Sequence, residues 1–473
     1  MTALVDRPLV AGPAPGRAAG RAVGRWAGFV VVCLGQLAMF VNITQITTVL
    51  APIQQDLHLS GSALVWAASI YSMVVASLVL SAGTVGDILG RRRVFAAGAG
   101  LLALGSLLVF LADSGTGVIV GQAVMGVGGA MVLPNSLSIV TSSFTDPHRR
   151  TSAVGIWVAV SGIGLAIGPL SAGVILEQFS WHAVFLVNVV LGVLVLLLTP
   201  FFVTESRQPG RHLDPPGLVV GVLAIGALNY AVIEGGHDGY GQPKSLWAFA
   251  FAAAAIAAFV LIEARTRTPM LHLRLFRIPS FSAANLVALV TQYGFVAVAF
   301  AQVLYFERVR HESILDTAVL MLWLMASYVV VSPLASRVVR RFGFKATLGV
   351  GSVLAASGAL LMTGQSATTS PLTVGIWMAL FGAGAGLVLP PSTAAAVISV
   401  PHAEGGMAGG TLNLFRQVGG TLGSSITGTV LTAGAAAGSF TGALHTAVLI
   451  PGVGALLAAG TAVLLVRDRP HGA

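Results

Sequence analysis

The stretch GVGGAMVLPNS at residues 126–136 returns as GAGAGLVLPPS at residues 382–392, an offset of 256 residues between Gly126 and Gly382. At the same offset Gly164 meets Gly420 and Ser171 meets Thr427, so the echo continues through the next apolar stretch. A repeat of two consecutive apolar stretches, in order, implies two related halves built on one plan. The halves must then meet along a seam.

The repeated stretches are membrane helices. Of 473 residues, 56% are hydrophobic and 9% charged, and the mean hydropathy is +0.89. A soluble domain carries roughly a quarter of its residues as charges, which excludes that class. In hydrocarbon every backbone N–H and C=O must be satisfied within the segment, so apolar runs of about 20 residues read as helices. Fourteen are legible, at 26–50, 63–82, 94–112, 118–143, 152–176, 183–203, 217–233, 246–262, 281–306, 315–335, 346–364, 372–400, 406–432 and 444–466. The expected fold class is an all-α integral membrane protein with 14 transmembrane helices. The 58 glycines suit close helix packing, and the lone Cys33 leaves no intramolecular disulfide.

The formal net charge of +9 invites a nucleic-acid reading until its placement is followed. With the N-terminus inside, Arg91, Arg92, Arg93, Arg149, Arg150, Arg265, Arg267, Arg340, Arg341 and Lys345 all fall on the cytoplasmic side. Lys244, Arg308 and Arg310 fall outside. The positive-inside rule therefore puts both termini in the cytoplasm of a multi-pass cell-membrane protein. Its charges face membrane lipids and no nucleic acid.

Segments 4 and 5 correspond to 12 and 13, which leaves six helices in each half and two to spare. Segments 7 and 8 are read as an inserted hairpin flanked by polar, proline-punctuated linkers. The expected organisation is a cytoplasmic tail at 1–25, an N-terminal six-helix bundle at 26–203, linkers and hairpin at 204–280, a C-terminal bundle at 281–466 and a tail at 467–473. Twelve spans with two interfacial helices is the alternative, but segments 7 and 8 carry no charged amphipathic face.

Between segments 2 and 3 runs GTVGDILGRRR. Its spacing, Gly83-x-x-x-Asp87-x-x-Gly90-Arg91-Arg92, resembles the signature loop of the major facilitator superfamily, and SRVVRRFGFK at 336–345 puts Gly343 and Lys345 where Gly90 and Arg92 stand. Segment 5 holds GLAIGPLSAG, similar to the superfamily's antiporter motif, with Gly164, Gly168, Pro169 and Gly173. Gly164, Gly168 and Ala172 make one smooth face, while Pro169 removes a backbone donor. WHAVFLVN at 181–188, LDPPG at 213–217 and PMLHLRLF at 269–276 resemble landmarks of the fourteen-helix drug:proton antiporter branch.

The resemblance implies two six-helix bundles plus the inserted two-helix hairpin, and export of small amphipathic compounds by alternating access, of the multidrug or antibiotic efflux type, with proton antiport. It also implies that Asp87 holds an inner gate by facing the N-terminus of segment 13, at Gly405, whose free N–H groups carry partial positive charge.

Three positions depart from the branch. Ile88 stands where many relatives carry a basic residue, Ile43, beside Asn42, where segment 1 usually carries an acid, and Gln122 where segment 4 usually carries an arginine. The membrane-embedded charges left are Arg416, Glu234 and Glu307, the last two being proton-coupling candidates. Expected around a substrate cavity are Gln36, Asn42, Gln45, Tyr71, Asn135, Trp157, Gln292, Tyr293, Trp323, Asn413, Arg416 and Gln417. Amides and aromatics with few carboxylates suit amphipathic organic molecules. The second reading is a dedicated metabolite, lipid or natural-product carrier with different or no proton coupling. An enzyme is disfavoured, since no nucleotide loop or metal-spaced His/Cys group is present. Neither metal nor cofactor is expected, and the chain is read as a monomer.

Overall fold

The computed structural model describes residues 15–59, 61–144, 146–207, 214–266, 269, 271–401 and 404–468. Residues 1–14 and 469–473 of the expected tails, and Leu213, Arg267 and Met270 of the linkers, lie outside them.

Fifteen α-helices follow one another among the described residues: α1 (Pro15–Asp56), α2 (Gly61–Leu89), α3 (Arg91–Phe110), α4 (Gly115–Ser143), α5 (Pro147–Leu176), α6 (Trp181–Val184), α7 (Leu186–Phe202), α8 (Pro215–Asp238), α9 (Pro243–Arg265), α10 (Pro279–Leu304), α11 (Ile314–Leu320), α12 (Leu322–Met362), α13 (Pro371–Ile398), α14 (Gly405–Ala436) and α15 (Phe440–Leu465). A 3-10 turn at Leu273–Arg277 precedes α10, and a π-helical turn at Tyr305–Val309 extends it. Side chains start several of them. Ser114 accepts from Gly117 N, Asp146 from Arg149 N and Asp214 from Gly217 N, each satisfying an N–H that the helix itself leaves open. The first helix begins at Pro15, eleven residues before the expected start, so the tail read at 1–25 is in part helical.

Twelve of the described helices are long and apolar enough to cross a bilayer, which makes this a multi-pass membrane protein. One of the twelve runs over 48 residues, Leu315–Met362. Within α12 the helical dihedrals break at Gly343, at φ 82 and ψ 172, so two helices meet there. α14, of 32 residues, is polar enough to fall outside the twelve.

The repeat is visible in packing. A Cβ built at Gly128 of α4 would lie 2.6 Å from Gly98 O of α3, and one at Gly384 of α13 would lie 2.5 Å from Gly351 O of α12. Both helix pairs therefore pack backbone to backbone, which only hydrogen at those positions allows. The two halves meet where α5 packs on α11 and α12, and where α14 packs on α2. The α8–α9 pair docks through α8 onto both α2 and α14, bridging this seam. Trp66 and Tyr230 meet at 5.7 Å, their rings tilted 38°, across α2 and α8.

Candidate functional site

Asn413 and Arg416 stand three residues apart on α14 and so share a face. Arg416 is 7% exposed. Its Nε and Nη2 donate to Gln292 Oε1 of α10 at 3.4 and 3.3 Å, and its charge lies beside the Tyr328 hydroxyl of α12. That hydroxyl also faces Ser161 of α5, in the other half. Tyr328 reaches the seam because position 162 is glycine: a Cβ there would come 2.4 Å from its ring. Phe295 lies with its ring centroid 5.2 Å from that of Tyr328. Among the described residues no carboxylate pairs with Arg416. Tyr293 Oη and Asn413 Nδ2 are buried without a hydrogen-bond partner among them. Gln417 is half-buried one residue on from Arg416. This is a donor-rich, singly positive constellation where the two halves meet.

The first-half amides and aromatics bond one another, hydroxyls and backbone carbonyls of neighbouring helices. Asn42 Nδ2 donates to Gln122 Oε1 at 3.1 Å, and Asn188 Nδ2 donates to Gln45 Oε1 at 2.7 Å. Gln45 Nε2 donates to Ser171 Oγ at 3.0 Å. Trp157 Nε1 donates to Ser136 Oγ at 3.1 Å, and that hydroxyl lies 3.5 Å from Gln36 Oε1. Tyr71 donates to Met39 O at 3.1 Å, and Asn135 to Ala82 O at 3.2 Å. These side chains knit α1, α2, α4, α5 and α7 together. Trp323 is 40% exposed, and its indole lies against Gly375 of α13.

At the loop end, Asp87 accepts from Arg91 Nε at 2.9 Å, one turn on, and both side chains are buried. Near this end Leu80 of α2 lies in van der Waals reach of Gly410 of α14. Gly83 rests against Pro134 of α4. Gly90 has φ 114, and a Cβ there would meet the Glu205 carboxylate at 2.7 Å. Glu205 accepts from Arg92 N at 3.1 Å and lies 3.8 Å from the side chains of Arg92 and Arg93. The second half repeats this. Gly343 has φ 82, and Asp468 accepts from Lys345 N at 3.1 Å. Sequence reasoning missed both acids, although each lies two residues past a helix-ending valine, in Val203-Thr-Glu205 and Val466-Arg-Asp468.

It also missed Glu404, just before α14, which accepts from His272 Nδ1 at 2.8 Å and from Arg274. Burial pushes this carboxyl's pKa upward, but donation by Arg274 and His272 outweighs it and holds the group below the usual glutamate range. The linker leaving the α8–α9 pair is thereby tied to the start of α14.

In α5, Gly164 and Gly168 lie on α1, where Cβ atoms would sit 3.0 Å from Leu37 O and 2.8 Å from Val41 O. Gly173 faces Leu315 of the second half, and α5 continues unbroken through Pro169. Glu234 is buried and paired with Lys244, while Glu307 is half-buried in the π-helical turn.

The sequence profile of the Major Facilitator Superfamily matches residues 32–424. Multidrug resistance protein Stp of Mycobacterium tuberculosis (strain ATCC 25618 / H37Rv) is 32% identical over 401 residues, covering 85% of this chain and 74% of its own. Methylenomycin A resistance protein of Streptomyces coelicolor is 29% identical, covering 85% and 84%. Among solved structures, the proton:xylose symporter XylE superposes with a TM-score of 0.69 at 14% identity, over 95% of this chain and 97% of its own.

Proposed function

The chain belongs to the major facilitator superfamily, and from that premise we propose that it is a secondary active exporter of small amphipathic organic compounds, working by alternating access. The observation that carries this reading is the seam at Arg416, Tyr328 and Ser161, where polar groups of both repeated halves meet. In repeat-built transporters the substrate sits at such an interface, and rocking of the halves exposes it to one side at a time. The names of the relatives, multidrug resistance protein and methylenomycin A resistance protein, support a drug-like cargo.

Splitting α12 at Gly343 and adding α14 to the twelve spans gives fourteen, with α8 and α9 as an inserted hairpin between six-helix bundles at 26–203 and 281–466. The Gly90 and Gly343 loops then face the cytoplasm with both termini, and Asp87 with Arg91 belongs to the inner gate. Proton antiport, through Glu307 or Glu234, rests on the family resemblance. The chain acts as a monomer among lipids.

A second reading, a carrier dedicated to one metabolite, lipid or natural product with different or no proton coupling, is favoured by one observation. The Asn42–Gln122 pair is neutral and fully bonded at the junction where the branch usually places charge. Expression in a bacterium stripped of its own drug pumps separates the two. Reduced accumulation of several unrelated amphipathic dyes supports general export, and unchanged accumulation of all of them removes it.

A further inference from the structure

Arg416 is the charged side chain set deepest between the halves. It donates to Gln292 Oε1 at 3.3–3.4 Å and meets the Tyr328 hydroxyl, two partners for a guanidinium with five donors. Around it stand further donors: the Tyr328 hydroxyl, and the Asn413 Nδ2, buried and without a hydrogen-bond partner among the described residues. The acids of the spans are held elsewhere: Asp56 accepts from Trp181, Glu263 from Leu271 N and Asp316 from Ser313. Asp87 bonds Arg91 and Glu234 bonds Lys244 near helix ends, and Glu307 stands in the terminal turn beyond α10. An isolated arginine in the middle of a bilayer is costly, by about 3 kcal/mol or more, and is tolerated where it meets water, a partner or a ligand.

Resting on the export reading, we propose that this site selects amphipathic organic acids, with Arg416, Tyr328 and Asn413 as the anchor for a single carboxylate or equivalent oxyanion. The guanidinium offers a planar fork matched to two oxygens, and the flanking hydroxyl and amide N–H complete a donor set with no acid to repel the ligand. The apolar part of the ligand lies along Phe295 and the Tyr328 ring. Because Ser161 and Gly162 of the first half cover Tyr328, rocking the halves apart uncovers the anchor. A ligand acid also carries its own titratable proton, so the substrate supplies the protonatable group missing at Ile43.

The test uses matched probes, 7-diethylaminocoumarin-3-carboxylate and its neutral carboxamide, in proteoliposomes holding the full chain at a pH where the acid is ionised. Wild-type protein transports the carboxylate faster than the carboxamide. Arg416→Gln lowers the carboxylate-to-carboxamide rate ratio about tenfold or more, as loss of a charge-assisted hydrogen-bond pair requires. Arg416→Lys keeps part of the preference, and Tyr328→Phe lowers it with the guanidinium intact. An unchanged ratio in Arg416→Gln overturns the assignment, and so does a wild-type protein that does not move the carboxylate. The export reading fails separately, when neutral and cationic dyes are not moved either. Should Arg416→Gln fold poorly, Tyr328→Phe decides by the same ratio.

Discussion

Asn42 of α1 and Gln122 of α4 exchange hydrogen bonds, 3.1 Å from Asn42 Nδ2 and 3.4 Å from Gln122 Nε2. The pair is buried, and neither member titrates, so this junction holds the helices together at any pH and contributes no proton step.

Breaking the pair leaves an amide stranded. Gln122→Leu is expected to destabilise the protein by about 0.6–2 kcal/mol, as interhelical hydrogen bonds in membranes do. The Asn42→Leu/Gln122→Leu double variant should lose less than the sum of the singles, because both remove the same interaction. Thermal unfolding in detergent checks this, and strict additivity would count against the pairing.

Gly162 and Gly155 share α5 but not their surroundings. A Cβ at 162 would strike the Tyr328 ring at 2.4 Å, whereas nothing lies within 4 Å of one at 155. Gly162→Ala should therefore cost about 1–3 kcal/mol. Gly155→Ala should gain about 0.5–1 kcal/mol from helix propensity alone. Equal unfolding temperatures for the two variants would contradict the seam contact.

The repeat, the apolar segments and the Gly90 loop were legible in the sequence because each is written in local spacing. Glu205 and Asp468 were not, since a linker acid acquires meaning only when the chain folds back onto a loop more than a hundred residues away. The amides of α1 were recognised as polar groups in a membrane; their partners, Ser171, Asn188 and Ser136, lie on other helices, and spacing along one segment does not reveal them.

Asp87 holds Arg91 through a charge-assisted pair, with Asp87 Oδ1 2.8 Å from Arg91 Nη2. Asp87→Asn keeps the shape but weakens the pair and removes the charge proposed for the inner gate. Transport in proteoliposomes should fall about tenfold or more, since hydrogen bonds to charged groups are worth about 1.5–3 kcal/mol. Protein yield should stay near normal. Transport equal to wild type would take Asp87 out of the gate.

Glu404 links the α9–α10 linker to α14 and has its pKa held below the usual range. A lowered folded pKa means stability that is present above the unfolded value, about 4.3, and is lost as pH falls through the folded one. Wild type should thus be more stable than Glu404→Gln at pH 6–7, with the difference shrinking once the pH drops below about 4. A difference that grows on acidification, followed by detergent unfolding across that range, would contradict the ion pairs.

Concentrative transport by purified protein is the most direct measurement. Liposomes containing the chain alone, with a pH gradient imposed and an amphipathic dye on both sides at equal concentration, should build a dye gradient that collapses when a protonophore is added. Dye that stays equal on both sides, matching protein-free vesicles for neutral, cationic and anionic dyes alike, would contradict secondary active export.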